Sequence, residues 1–221
     1  MKNVWKAVVI MIALAASASA QNVNWRSVGE DQPNIVRVIT GYDYGAAIQA
    51  GYYRFVDLGR PVLLGLDYTQ PMGSDLLDDF KVRLGGEVEV VEYDGFSATV
   101  RILSNFRRYE TDYVRIVSFG SELAGVVGYY NTSWYAAGEL GFDKAIATHM
   151  KHSEILRSYF PGITDGWYLP TGGNWFYGIQ AGKTIGNSLE LNLRAGATNA
   201  QFQDENAMLP YYVQLGVGVK F

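Results

Sequence analysis

Apolar and polar positions alternate with a period of two along most of the chain, in runs of roughly ten residues separated by clusters of Gly, Pro, Asn and Asp. The last run is the clearest. Tyr211, Val213, Leu215, Val217, Val219 and Phe221 share one parity, while Tyr212, Gln214, Gly216, Gly218 and Lys220 share the other. Such a run predicts a strand with one apolar face and one polar or small face. Earlier runs repeat it. Residues 34–44 and 46–56 predict two weaker strands, followed by a turn at Asp57, Leu58, Gly59 and Arg60. Val62, Leu64, Leu66 and Tyr68 then alternate with Leu63, Gly65, Asp67 and Thr69, ahead of a loop over 73–78. Phe80, Val82, Leu84, Gly86, Val88 and Val90 alternate with Lys81, Arg83, Gly85, Glu87 and Glu89. Asp94-Gly95 supplies a tight hairpin turn, and the return strand sets Phe96, Ala98, Val100, Ile102 and Phe106 against Ser97, Thr99, Arg101, Asn105 and Arg107.

The second half continues in the same way. Phe119, Leu123, Val127 and Tyr129 share a face within 113–129, with Glu122 opposite; after a turn over 131–133, Trp134, Ala136, Leu140 and Phe142 oppose Tyr135, Glu139 and Asp143. Lys144 interrupts this pattern and predicts a bulge or a membrane edge. An irregular stretch over 153–173, with Pro161 and Pro170, predicts a long loop that opens on a short helical turn capped by Ser153 and ended by Pro161 and Gly162. Trp175, Tyr177, Ile179 and Ala181 form the next apolar face. Gly186 and Asn187 turn the chain, Leu189, Leu191, Leu193 and Ala195 then oppose Glu190, Asn192 and Arg194, and the polar segment 201–210 leads into the final strand.

The closing run resembles the last strand of bacterial outer-membrane β-barrel proteins, which end on Phe after alternating apolar residues. The resemblance implies an all-β fold, a single antiparallel transmembrane β-barrel in the outer membrane of a Gram-negative bacterium, porin-like in build. It also implies partners: the lipid bilayer, lipopolysaccharide, and the barrel-assembly machinery that would read Tyr211, Val213, Leu215, Val217, Val219 and Phe221. Short turns belong on the periplasmic side and long loops outside. Counting connections back from the terminus places Gly186, Asn131, Asp94 and Gly59 at periplasmic turns and gives ten strands. Eight is the alternative, with 34–56 as a folded-over lead-in. A soluble lipocalin-like barrel would reverse the polarity of the two faces.

The beginning of the chain fits export. Lys2 and Lys6 precede an apolar run over 7–15, and Ala18, Ser19 and Ala20 follow, the order of a signal peptide cleaved before Gln21. The expected division is therefore a signal peptide at 1–20, a polar periplasmic lead-in at 21–33 and the barrel at 34–221. Removing Lys2 and Lys6 from the 18 basic residues leaves 16 against 22 acidic ones, a formal charge of −6 with no footprint for nucleic acid. The absence of Cys excludes disulfides and a lipidated N-terminus. No mature segment approaches the length of an apolar transmembrane helix. Together, 25 Gly and 16 Tyr suggest glycine facing a crowded lumen and tyrosine at the membrane interfaces, with Tyr129, Tyr130, Trp134 and Tyr135 at one rim and Trp175, Tyr177 and Tyr211 at the other.

Parity directs twelve ionisable residues inward: Arg37, Asp67, Lys81, Arg83, Glu87, Glu89, Arg101, Glu122, Glu139, Asp143, Glu190 and Arg194. Charges withdrawn from water need partners, so this set reads as an ion-paired plug or as the lining of a narrow pore for small polar solutes. Arg115 falls on the lipid parity and should stand above the membrane. His149 and His152 adjoin Ser153 and invite comparison with surface lipid deacylases and outer-membrane aspartyl proteases. His152 and Ser153 point to opposite faces of an extended strand, and no Asp-x-His follows Asp75, Asp78 and Asp79. His149 with Asp143 is the one pair that suggests a metal, and a third ligand is lacking. The sequence therefore assigns no catalytic residue and no cofactor. Asn131-Thr132-Ser133 matches a glycosylation sequon but reads as turn chemistry.

Overall fold

The computed structural model of the chain describes residues 22–43, 45–75, 77–170, 172–201 and 210–221. The signal-peptide segment, Tyr44 and most of the polar 201–210 segment lie outside the described residues.

The sheet is continuous and closed. Its strands are β1 (Asn34–Tyr42), β2 (Ala46–Asp57), β3 (Pro61–Pro71), β4 (Asp79–Tyr93), β5 (Phe96–Glu110), β6 (Val114–Tyr130), β7 (Trp134–His152), β8 (Gly166–Tyr168), β9 (Gly173–Ile185), β10 (Leu189–Ala200) and β11 (Tyr211–Lys220). Each pairs antiparallel with its neighbours, and β1 pairs with β11 in the register Val36 to Val219 and Val38 to Val217. The three-residue β8 pairs only with the upper end of β7, so the barrel itself has ten strands. The eight-strand count fails because β1 and β2 are both full members of the sheet. Closure gives each of the ten barrel strands a partner on both sides, removing edges that lipid would otherwise penalise through unsatisfied N–H and C=O groups. At the seam, Phe221 donates its N–H to Asn34 O at 3.0 Å and accepts from Asn34 N at 3.1 Å.

Short connections gather at one end of the barrel, called here the turn end, together with the β1–β11 seam; the longer connections gather at the loop end. Asp94 and Gly95 both take positive φ, 46° and 83°, which the tight β4–β5 hairpin requires. Strands β5, β6 and β7, of 15, 17 and 19 residues, form a taller wall at the loop end. The bulge falls near Lys144: Phe119 pairs with Ala147 and Gly120 with Ala145, so Ile146 is the extra residue and β7 continues beyond it with reversed parity. After β7, Ser153 caps the helix α1 (Glu154–Tyr159) by accepting from Leu156 N at 3.3 Å.

The polarity of the two faces is that of a membrane barrel. Val213, Leu215, Val217 and Val219 are exposed, whereas Arg37, Arg83, Arg101 and Glu190 are fully buried. No helix among the described residues is long and apolar enough to cross a membrane. One rim assignment is corrected. Tyr129 and Trp134 pack outside at 5.5 Å, but Tyr130 and Tyr135 are buried inside the barrel as a parallel stack at 5.2 Å. Odd and even neighbours on a strand cannot share a face, so only one member of each adjacent aromatic pair, Tyr129 and Trp134, reaches the outside.

Candidate functional site in the barrel lumen

All twelve inward ionisable residues line one interior, at three heights. At the turn end the lumen is filled by the chain's own residues 22–27. Val23 and Trp25 are buried against Ile35, Tyr53, Leu63, Val126 and the Tyr130–Tyr135 stack. Asn24 donates its backbone N–H to Glu190 Oε1 at 3.2 Å and its side-chain amide to Asn131 O at 2.8 Å and Thr184 Oγ1 at 3.3 Å. Arg26 pairs with Glu89 at 3.1 Å and with Glu92 at 3.0 Å, and Lys220 donates to Ser27 O at 3.0 Å. The patternless lead-in expected at 21–33 thus enters the mouth of the barrel rather than trailing below it. Val23 and Trp25, large and apolar between Asn22, Asn24 and Arg26, were the sequence signal for this.

The middle layer is ionic. Arg101, with no exposed side-chain surface, reaches Glu122 at 3.1 Å, Glu139 at 3.2 Å and Glu87 at 3.8 Å. Arg194 binds the other oxygen of Glu139, which also accepts from Tyr212 OH at 2.7 Å. Arg37 meets Glu190 at 3.4 Å, and Tyr53 OH donates to Asp67. Thr99 and Ser97 donate to Glu87 and Glu89. Each ion so withdrawn from water costs several kcal/mol unless paired, and the cluster around Arg101 and Glu139 draws on six strands, β4 to β7, β10 and β11. Glycines make room for the large luminal rings. A Cβ on Gly182 would lie 2.3 Å from the Tyr135 ring, and one on Gly141 2.2 Å from Phe176. The abundance of Gly and Tyr therefore has a luminal cause as well as an interfacial one.

Above this layer a cavity of about 300 Å³ occupies the loop end, walled by Lys81, Arg83, Arg107 and Arg194 and by Asp43, Glu122 and Asp143. Lys81 meets Asp143 at 3.3 Å, Asn105 donates to the same carboxylate at 2.8 Å, and Arg83 donates to Gln49 at 2.6 Å. Arg107 pairs with Asp79 at 3.2 Å. Sequence reasoning did not single out Asp43 or Asp79 as luminal, the first in a loop and the second at a strand end where parity is hardest to assign; Lys220 lies on the inward parity of the last strand but outside the set of twelve.

The rim cluster does not assemble into a catalytic site. His149 packs its ring edge-on to Trp167 at 5.0 Å. His152 meets Asp165 through Nδ1 at 3.0 Å, and Ser153 Oγ serves as the cap of α1. The backbone N–H of His152 and the guanidinium of Arg157 also bond Asp165, holding its carboxyl below the usual carboxylate range. Asp143 is turned inward to Lys81, away from His149. Among the described residues no group of three or more His, Cys, Asp or Glu is placed to hold a metal ion.

No family model and no curated protein sequence matches the chain. Among solved structures the chain is similar to a KdgM porin, at 10% identity and a TM-score of 0.42, over 85% of this chain and 99% of that one.

Proposed function

Taking the chain as a ten-stranded barrel of the outer-membrane type, we propose that it resides in the Gram-negative outer membrane as a barrel closed at rest, with a charged vestibule open to the exterior and its periplasmic mouth stopped by its own N-terminal residues. Export by the segment 1–20 would leave Gln21 as the first mature residue, so the stopper would be a short tail tethered only at β1. The observation that carries the reading is the burial of Val23 and Trp25 among luminal residues of five strands. An apolar pair in that position excludes water from the mouth. The Arg101 and Arg194 clusters support the same reading higher up, because a solute or ion crossing there must replace paired charges. The protein then serves envelope integrity or surface contact, and passes small polar solutes only when the tail leaves. The twisting apart of His149, His152 and Ser153 into separate structural tasks gives the hydrolase alternative no support.

Reconstitution in planar bilayers tests this. Intact mature protein should show no sustained conductance, and a variant lacking residues 22–32 should show discrete openings. Stable, discrete conductance from the intact chain, unchanged by the deletion, would overturn the proposal.

A further inference from the structure

The outer face of the tall wall carries a feature that neither the lumen nor the barrel's closure uses. Phe80, Phe106, Phe119 and Trp167 form a continuous aromatic line across β4, β5, β6 and β8, with successive ring centroids 5.7, 5.2 and 6.1 Å apart. Directly toward the loop end, cations stand in register on the same face. Arg108 pairs across to Val117 and Val117 to His149; in the next row Glu110 pairs to Arg115 and Arg115 to Lys151. Residues directly opposite on antiparallel strands hold their Cβ atoms about 5 Å apart, so the three cations occupy one patch. Glu110 opposes them, dividing its carboxylate between Arg108 and Arg115, the latter at 2.6 Å, and Asp78, whose carbonyl accepts from Glu110 N, adds a second negative charge near Arg115. Each guanidinium keeps further N–H donors, and Lys151 has no ion-pair partner among the described residues.

The patch is local. The sequence as a whole is acidic, with a formal charge of −4, and the outward residues at the loop end of the shorter wall, such as Ile48, Tyr68, Gln70, Asn199 and Tyr211, carry no charge. Aromatic rings mark the boundary between acyl chains and headgroups. Cations one and two residue pairs beyond them stand at the height of lipid phosphates, about 5 to 10 Å higher for tilted strands. We infer that the outer face of β5–β7 docks a phosphorylated, multiply acylated glycolipid, the chemistry of lipopolysaccharide: its phosphates meet Arg108, Arg115 and Lys151, and its acyl chains lie along Phe106, Phe119 and Trp167. The inference rests on the outer-membrane reading of the barrel and is indifferent to whether the lumen conducts.

The test uses full mature protein refolded in detergent, with the folded fraction followed by its heat-modifiable migration and bound lipid counted by native mass spectrometry. The probes are purified bisphosphorylated lipid A, its dephosphorylated form and phosphatidylglycerol. Wild type should retain one lipid A molecule roughly tenfold better than either of the others. Combined Arg108→Ala, Arg115→Ala and Lys151→Ala should abolish that preference, while Lys183→Ala on the outer face of β9 should keep it. If the triple variant folds poorly, Lys151→Ala alone should still lower retention. Equal retention of the dephosphorylated lipid, displacement by millimolar inorganic phosphate, or a variant that retains lipid A like wild type would each overturn the assignment. Bilayer conductance, read separately, reports on the stopper and leaves this outcome untouched.

Discussion

The two ends of the lumen are walled by the same strands and filled by opposite means. At the turn end, inward positions hold Ile35, Tyr53, Leu63, Val126 and Tyr135, and Val23 and Trp25 pack against them as a small apolar core. At the loop end, the same parity carries Lys81, Arg83, Asn105, Arg107 and Asp143 around a cavity of about 300 Å³. Outward residues follow one rule over the middle of the strands, apolar and exposed as at Val38, Leu193, Leu215 and Val217, and carry charge toward the strand ends, as at Arg54, Arg108, Arg115, Lys151 and Lys183. Inward residues answer to no such rule. The contrast teaches that a barrel of this width can be dry and packed at one end and hollow and charged at the other without any change of backbone geometry.

Substitutions can break or sharpen that contrast. The largest effect is expected between the two ends. Arg101→Met leaves Glu87, Glu122 and Glu139 buried around an apolar side chain, and orphaning buried charge typically costs roughly 3–5 kcal/mol. Melting in detergent, followed by circular dichroism, should fall accordingly. A variant that melts like wild type would mean that the layer is hydrated rather than tightly paired.

A matched pair then compares the ends directly. Gly182→Val drives a side chain into the Tyr135 ring and toward Leu191 O, 2.9 Å from a Cβ at that position, and overpacking of this kind costs roughly 1–3 kcal/mol. Lys81→Ala removes a partly exposed pair with Asp143, for which about 0–1 kcal/mol is expected. The difference in melting between the two variants measures how much more closely packed the turn end is. Equal shifts would erase the distinction.

The smallest effect lies outside the barrel. The carboxyl of Asp165 titrates below its ordinary value, held there first by the backbone N–H of His152. Its contribution to ordering the segment between β7 and β9 is therefore complete above about pH 4 and is lost as pH falls through the depressed value. Hydrogen exchange over residues 152–168 should accelerate below that range while the barrel strands stay protected. Exchange in this segment that does not change with acid would show that the contacts of Asp165 do not order it.

Much of this architecture was legible in the residues themselves. Alternation fixed which side chains face lipid and which face inward, since successive Cβ atoms on a strand point to opposite faces whatever surrounds them. Asp94-Gly95 named its own turn, Ser153 its own cap, and the parity of the short turns counted ten strands and closed β11 on β1. Lys144 announced an irregularity two residues from the bulge at Ile146. Other features had no local trace. That the ring of Tyr130 stacks on that of Tyr135, and which ions pair, were decided only by the closed barrel. Arg37 and Glu190 stand 153 positions apart, and Asn24 and Glu190 stand 166 apart. Inward side chains from all ten strands converge on one axis, so partners are chosen by their height in the barrel. That height depends on the register between every pair of neighbouring strands, which the alternation within any one strand does not encode.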